Sequence, residues 1–236
     1  MCNFLSGLTF SDFLLPTQGR CHADPCKTNS HSELVRLLCL NDVKSEGHFA
    51  KWEFVPSGDI ADFDNYQFKL DEERVPDWWT PEIEAETIEY AKSVLRRVVL
   101  VTGVIDELRD DVYALAGNAV VRNLFSSVGL MRGSSSVHAM WESSSVGLMR
   151  ESSSVHEMWG SSSVGLMRES SSVHEMWGSP SVGLMRESSQ ATVYTETAHV
   201  TLGENCNAVV IDRSAGSVKC HVSGKRKKVI GSPRGN

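Results

Sequence analysis

The most regular pattern of apolar and polar positions in this chain runs from Ser126 to Glu187, where one valine and one methionine recur every nine residues among serines. The valines stand at Val128, Val137, Val146, Val155, Val164, Val173 and Val182. Methionine follows three positions later, at Met131, Met140, Met149, Met158, Met167, Met176 and Met185. The residue after methionine alternates between Arg and Trp, so the true period is eighteen. Stepping on by nines reaches Ala191, Val200, Val209 and Val218, and stepping back reaches Ala119, which extends the expected array into its degenerate flanks. A fixed short period marks a stacked architecture.

Eighteen residues make five turns of an α-helix, so the helix is tested first. Serine runs, glycine in half of the nonapeptides and valine as the commonest apolar residue all lower helix propensity. Nine residues are also two and a half turns, which would send successive valines to opposite sides. A disordered linker, in turn, would not carry a valine, a methionine and often a tryptophan per unit. The pattern therefore predicts a β-solenoid with two nonapeptides per coil and one short strand from each. Identical side chains then stack at the inter-strand spacing of about 4.8 Å. Arg132, Arg150, Arg168 and Arg186 line one column, with Glu151, Glu169 and Glu187 balancing them. Trp141, Trp159 and Trp177 line another, with His138, His156 and His174 beside them. Valine fills the interior, methionine a second inner or corner position, and serine the bends. Valine to methionine is an odd offset, so both can turn inward only if the strand carries a bend or bulge.

The chain before the array reads differently. Ser30 with Glu33 offers a capping box for a short helix through Leu34, Val35, Leu37 and Leu38. Residues 50 to 55 and 66 to 70 alternate as strands, joined through Gly58, Asp59 and Asp62. Thr80 and Pro81 suit the N-cap and first position of a longer helix, with Ile83, Ile88, Ala91, Leu95 and Val98 on its apolar face. Residues 98 to 101 and 112 to 115 are expected as strands leading into the first coil. The expected organisation is an α+β N-terminal domain over residues 1–115, a β-solenoid with eighteen residues per coil over 116–230, and a flexible tail at 231–236. A solenoid end exposes strand edges and an apolar interior, so the N-terminal domain is expected to act as a cap.

In its Ser-Ser-Val-x-x-Met-Trp/Arg nonapeptides the chain resembles pentapeptide-repeat-like β-solenoid proteins. It is more closely similar to a group of uncharacterised phage and bacterial proteins with repeats of this form. The opening Met-Cys-Asn-Phe and the segment Phe-Lys-Leu-Asp-Glu-Glu-Arg-Val-Pro-Asp-Trp-Trp look like the N-terminal module of such proteins. The resemblance implies a solenoid and a mobile-element setting, and it brings no catalytic residues. The period here is nine, not five, so the four-sided coil of true pentapeptide proteins does not carry over.

Composition adds bounds. With 236 residues, 41% apolar, and a net charge of −7, the chain fits one or two domains. No membrane segment is read from it, and Met1 to Leu15 lacks a basic n-region and carries Asp12, so it is not taken as a secretion signal. The expected location is the cytoplasm of the host cell. Six cysteines without framework spacing suggest reduced thiols. Cys21, His22, Cys26 and His31 are zinc-type donors, yet no Cys-x-x-Cys pair is present and adjacent Cys21 and His22 cannot easily face one ion. Neither a metal nor another cofactor is expected. The acidic excess lies before Phe125, while Lys225, Arg226, Lys227 and Lys228 form a short basic run that suits either a phosphate contact with nucleic acid or a solvated tail.

No set of residues reads as a catalytic constellation. The expected function is that of a non-enzymatic binding or scaffold protein presenting its tryptophan, arginine and histidine columns to a protein partner, for instance to inhibit a host defence or nucleic-acid enzyme. The alternative is a structural or adhesive component of a virion or cell surface. The tryptophan column suits an exposed apolar ridge and a core column equally. Self-association is open to a solenoid whose last coil carries no clear cap.

Overall fold

The computed structural model describes residues 5–12, 19–40, 47–203, 209–213, 219–222 and 227–228. The chain divides into two compact units, Met1–Val99 and Leu100–Asn236.

In the first unit the elements are β1 (Leu5–Phe10), β2 (Cys21–His22), α1 (His31–Leu37), β3 (Phe49–Pro56), a 3-10 turn (Phe63–Asn65), β4 (Tyr66–Leu70) and α2 (Pro81–Val98). The four strands form one antiparallel sheet in the order β2-β1-β3-β4. β3, β4 and α2 lie where the sequence pattern puts them. Thr80 caps α2 through its side chain, which accepts from the Ile83 amide at 3.4 Å, and Pro81 follows at the first turn. The apolar face differs in detail, because Thr87, Ala91, Val94 and Leu95 are the buried positions. Thr87 is tolerated there because its hydroxyl bonds the Ile83 carbonyl at 2.8 Å and the Thr9 hydroxyl at 3.0 Å.

The capping box does not form. The Ser30 amide donates to Thr28 Oγ1 at 3.0 Å, Glu33 turns to Arg36 and Ser30 makes no side-chain cap. β1 is not foreseen by alternation, since all six of its residues are buried. Both helices pack near it, and inward polar groups such as Ser6 and Thr9 are bonded rather than solvated. Gly7 pairs with Trp52 in the ladder, and a Cβ at Gly7 would lie 2.1 Å from the Trp52 ring, so only glycine fits under that indole.

The rest of the described chain is strand and turn. It runs β5 (Val99–Leu100), β6 (Val104–Leu108), β7 (Val112–Leu115), β8 (Val120–Leu124), β9 (Ser127–Met131), β10 (Ser136–Met140), β11 (Ser145–Met149), β12 (Ser154–Met158), β13 (Ser163–Met167), β14 (Ser172–Met176), β15 (Ser181–Met185), β16 (Gln190–Val193), β17 (His199–Leu202), β18 (Val209–Asp212), β19 (Lys219–Val222) and β20 (Lys227–Lys228). Successive strands up to β18 alternate between two sheets, ordered β6-β8-β10-β12-β14-β16-β18-β19 and β5-β7-β9-β11-β13-β15-β17-β20. Pairing within each coil stack is parallel, as in Val137 with Val155 and Val146 with Val164. This is a β-solenoid of about six coils with eighteen residues per turn in its regular part.

Valine and methionine both point inward. Val146, Val155 and Val164 are at most 1% exposed and Met149, Met158 and Met167 are fully buried, so they fill the space between the sheets. Each strand from β11 to β15 reads half-buried, buried, exposed, half-buried, buried. The odd offset is accommodated because every strand departs from a flat pleat between its valine and its methionine. The strands β9 to β15 depart at the same place, so the ladder among them keeps its register.

The phase expected at the flanks holds at Ala191 and Val200, which pair with Val173 and Val182, and fails further out for a simple reason: coil length changes. Val120 pairs with Val104 and with Ser136, a step of sixteen residues, so Val121 and not Ala119 occupies the valine column. Ala119 instead precedes the strand, at the buried small position that Ser135 holds one coil later. At the other end Gln190 pairs with Val209 and Ala191 with Val210, so Val210 takes the inner position expected of Val209. Val218 lies outside the described residues. Between these, β14 to β16 and β15 to β17 each lose one residue at a bulge.

Beyond the last parallel pairs each sheet carries one further strand, which the sequence expectation of an end without a clear cap did not include. β19 runs antiparallel along β18 and β20 antiparallel along β17, so the edge strand of each sheet is paired by a reversed one. Lys227 and Lys228 belong to β20 and so are not tail residues, while Lys225, Arg226 and the segment 231–236 lie outside the described residues. Among the described residues no helix is long and apolar enough to cross a membrane.

Candidate interaction surface: the side-chain columns

The two kinds of nonapeptide make two kinds of corner. At the Met-Arg-Glu corner the backbone needs a left-handed residue: Gly117 and Gly133 supply it in the early coils at φ 55° and 71°, and Glu151, Glu169 and Glu187 at φ 58–59° in the later ones. Glutamate at such an angle is sterically unfavourable. Its side chain compensates by reaching back one coil. Glu151 Oε2 accepts from the Gly133 amide at 2.8 Å, Glu169 Oε2 from the Glu151 amide at 2.7 Å, and Glu187 Oε2 from the Glu169 amide at 2.9 Å. The other carboxylate oxygen meets the arginine of the same earlier coil: Arg132 with Glu151 at 2.6 Å, Arg150 with Glu169 at 3.4 Å and Arg168 with Glu187 at 3.3 Å. The arginine column is therefore a staircase of ion pairs between coils. Arg186 is exposed.

At the other corner the aromatic rings stack. Trp141 and Trp159 have centroids 5.8 Å apart and planes within 11°, Trp159 and Trp177 repeat this at 5.8 Å and 14°, and Tyr194 continues the stack 4.5 Å from Trp177. The rings are half-buried. They are neither core nor an open ridge, since each inner ring has both faces covered by its neighbours and shows solvent an edge. Their indole nitrogens donate to Asn123 Oδ1 at 2.9 Å, Glu157 Oε2 at 2.8 Å and Glu175 Oε2 at 2.9 Å. The column is longer than the repeat reveals. Leu124 pairs with Met140 and with Leu108, which puts Phe125 and Arg109 in the same line, and Val193 pairs with Met176 and Asp212, which adds Tyr194 and Arg213. The guanidinium of Arg109 lies 4.3 Å over Phe125 and that of Arg213 5.7 Å from the Tyr194 ring, so a cation stands over the aromatic column at each end. A nine-residue step could not find these four residues. The hydrogen-bonded register does.

The histidines are exposed on the face of the β10-β12-β14 sheet. His138 and His156 stack in parallel at 5.1 Å, His156 and His174 meet edge to face at 5.3 Å, and their Nδ1 atoms are 3.1 Å apart. On the opposite sheet the equivalent positions are Gly129, Gly147, Gly165 and Gly183. A Cβ at Gly147, Gly165 or Gly183 would lie 2.6–2.7 Å from the carbonyl oxygen of the preceding glycine in the column, so this face admits no side chain there. Serine hydroxyls line the bends, with Ser171 and Ser189 donating to the carbonyls of Arg168 and Arg186 at 2.8 Å.

The zinc-type residues of the first unit do not converge. Burial raises the pKa of the Cys21 thiol, which sits against the Thr9 and Thr87 hydroxyls at 3.4 and 3.7 Å. Burial lowers that of His22. His31 Nε2 donates to the Trp52 carbonyl at 2.9 Å and its Nδ1 faces Asp71 at 3.1 Å. Among the described residues no three His, Cys, Asp or Glu side chains are placed to enclose a metal ion. Compared with protein-family models, with curated proteins and with solved structures, the chain matches none of them.

Proposed function

We propose that this chain is a non-enzymatic binding protein whose solenoid presents straight columns of outward side chains to a protein partner. One observation carries the reading: the outward side chains of successive coils are braced to one another at the corners, by Arg–Glu pairs on one side and the aromatic stack on the other. With valine and methionine packed between the sheets, the chemistry left to the regular coils is on their outer faces. A surface whose side chains are already ordered loses little entropy on binding. A protein suits it better than the other partners considered. Sugar rings and nucleobases bind aromatic residues by their faces, which the stack covers. Three of the arginines that would meet phosphate are paired with glutamates. In the mobile-element setting that the repeat resembles, inhibition of a host defence or nucleic-acid enzyme in the cytoplasm is the narrower form of this proposal.

The test immobilises the full chain beside two folded variants, Ser145→Arg with Ser163→Arg on one face and His138→Glu with His174→Glu on the other, in buffer containing a chelator. The proposal expects one host protein to be retained in stoichiometric amount by the parent and lost from one variant, with the binding reproduced by the two purified proteins. Retention indifferent to both faces, or recovery of the chain only inside assembled particles, overturns it in favour of a structural role.

A further inference from the structure

We infer that His156 and His174 form an open two-imidazole site for a late first-row divalent transition ion. The repeat makes neighbouring histidines inevitable, but stacking alone does not decide how they meet. His138 lies flat on His156 and offers it no nitrogen. His156 and His174, by contrast, are turned edge to face at 77°, and their two Nδ1 atoms come within 3.1 Å of one another.

That separation matches the bite of a chelate. Two imidazole nitrogens bound to one ion at about 2.0–2.1 Å each lie roughly 2.9 Å apart at a right angle and roughly 3.3 Å apart at a tetrahedral one. An ion at that bond length sits beside the line between the two nitrogens, so the exposed rings turn about their side-chain bonds to point both lone pairs at it while the strands stay in place. Without it, an Nδ1–H of one ring must donate to the lone pair of the other. Ser172 Oγ lies 3.1 Å from His174 Nε2 and can accept its proton, which leaves His174 Nδ1 as the lone pair. Metal ligands are commonly oriented by such a hydrogen bond on the second nitrogen. His156 then donates from Nδ1 in the empty state. On binding, that proton leaves for solvent and Nε2 takes one up, so His156 stays neutral and the ion meets two lone pairs. The nearby Glu157 and Glu175 carboxylates are engaged by the Trp159 and Trp177 indoles, so water completes the coordination.

Imidazole pairs favour copper, nickel and zinc, with Cu(II) the strongest of the series, which makes it the probe. The full chain, stripped of metal, is titrated with Cu(II) and read by electron paramagnetic resonance. The same titration is run on His156→Gln, His174→Gln and His138→Gln. These variants should keep the fold, because Arg122 occupies the equivalent exposed position in the same ladder, and far-ultraviolet circular dichroism checks this. The expected result is a saturable site with superhyperfine coupling to two nitrogens in the parent and in His138→Gln, lost in both His156→Gln and His174→Gln. A parent spectrum without two-nitrogen coupling overturns the inference. So does a spectrum that survives either of the latter two substitutions, which would place the copper on other histidines of the chain.

Discussion

Replacing Glu151 separates the two roles that a left-handed glutamate plays. Its carboxylate accepts the Gly133 amide at 2.8 Å and Arg132 at 2.6 and 3.0 Å, while its own backbone stands at φ 59°. A hydrogen bond to a charged acceptor is worth about 1.5–3 kcal/mol, and the half-exposed ion pair adds at most about 1 kcal/mol. The left-handed backbone costs a non-glycine residue about 1–2 kcal/mol. Glu151→Ala keeps that strain and loses both interactions, so it should destabilise by about 2–3 kcal/mol. Glu151→Gly loses the same interactions but relieves the strain, so it should sit about 1 kcal/mol above the alanine variant. Glu151→Gln keeps an acceptor oxygen and should be the mildest. Urea titrations followed by circular dichroism give the order, provided that the slopes stay constant. An alanine variant as stable as the glycine one would refute the left-handed corner, and an alanine variant as stable as the parent would refute the staircase.

Gly165→Ala should destabilise by about 1–3 kcal/mol, because the new methyl would lie 2.6 Å from the Gly147 carbonyl oxygen, while Gly58→Ala, with nothing within 4 Å, should leave the urea midpoint unchanged. Deleting residues 161–178 removes one whole coil and should leave a cooperatively folded β-protein. Deleting 161–169 alone sets arginine corners against tryptophan corners and should abolish folding in a thermal melt; equal stability of the two would count against an eighteen-residue coil. Since burial raises the Cys21 pKa, the unfolded thiol ionises first, and stability present at neutral pH should fall as pH climbs past about 8.5. Urea midpoints of the parent and Cys21→Ala at neutral and alkaline pH should show a smaller alkaline loss in the variant, and parallel losses would contradict this.

The regular coils were legible because near-identical units leave one consistent reading: Val146, Val164 and their relatives must occupy equal positions, and the ladder pairs them. Tryptophan, histidine and arginine columns follow from the same repetition. What repetition could not convey is how far a coil may change length. Sixteen residues suffice because the corners at Arg109 and Phe125 are two residues shorter than the one at Trp141, so Phe125 and Arg109 join the aromatic column out of phase with the nines. The role of Glu151 and its equivalents was half visible, as charge balance for arginine, while their hold on the previous coil's amide depends on a backbone angle that sequence suggests only for glycine. In the first unit, β1 was hidden because a strand covered on both faces shows no alternation, and Thr87 because a buried hydroxyl is read as exposed until its partner Thr9 is known.

In its regular part the backbone winds once per eighteen residues and brings Ser145 beside Ser163 in the same sheet. Nitroxide labels placed on cysteines at these two positions, in a chain whose own reactive thiols are replaced by serine, report that distance through dipolar broadening of the continuous-wave electron paramagnetic resonance spectrum. Neighbouring strands about 4.8 Å apart should give strong broadening relative to either single label, and a pair at Ser145 and Ser154, on opposite sheets, clearly less. A Ser145–Ser163 spectrum equal to the sum of the single labels would contradict the winding.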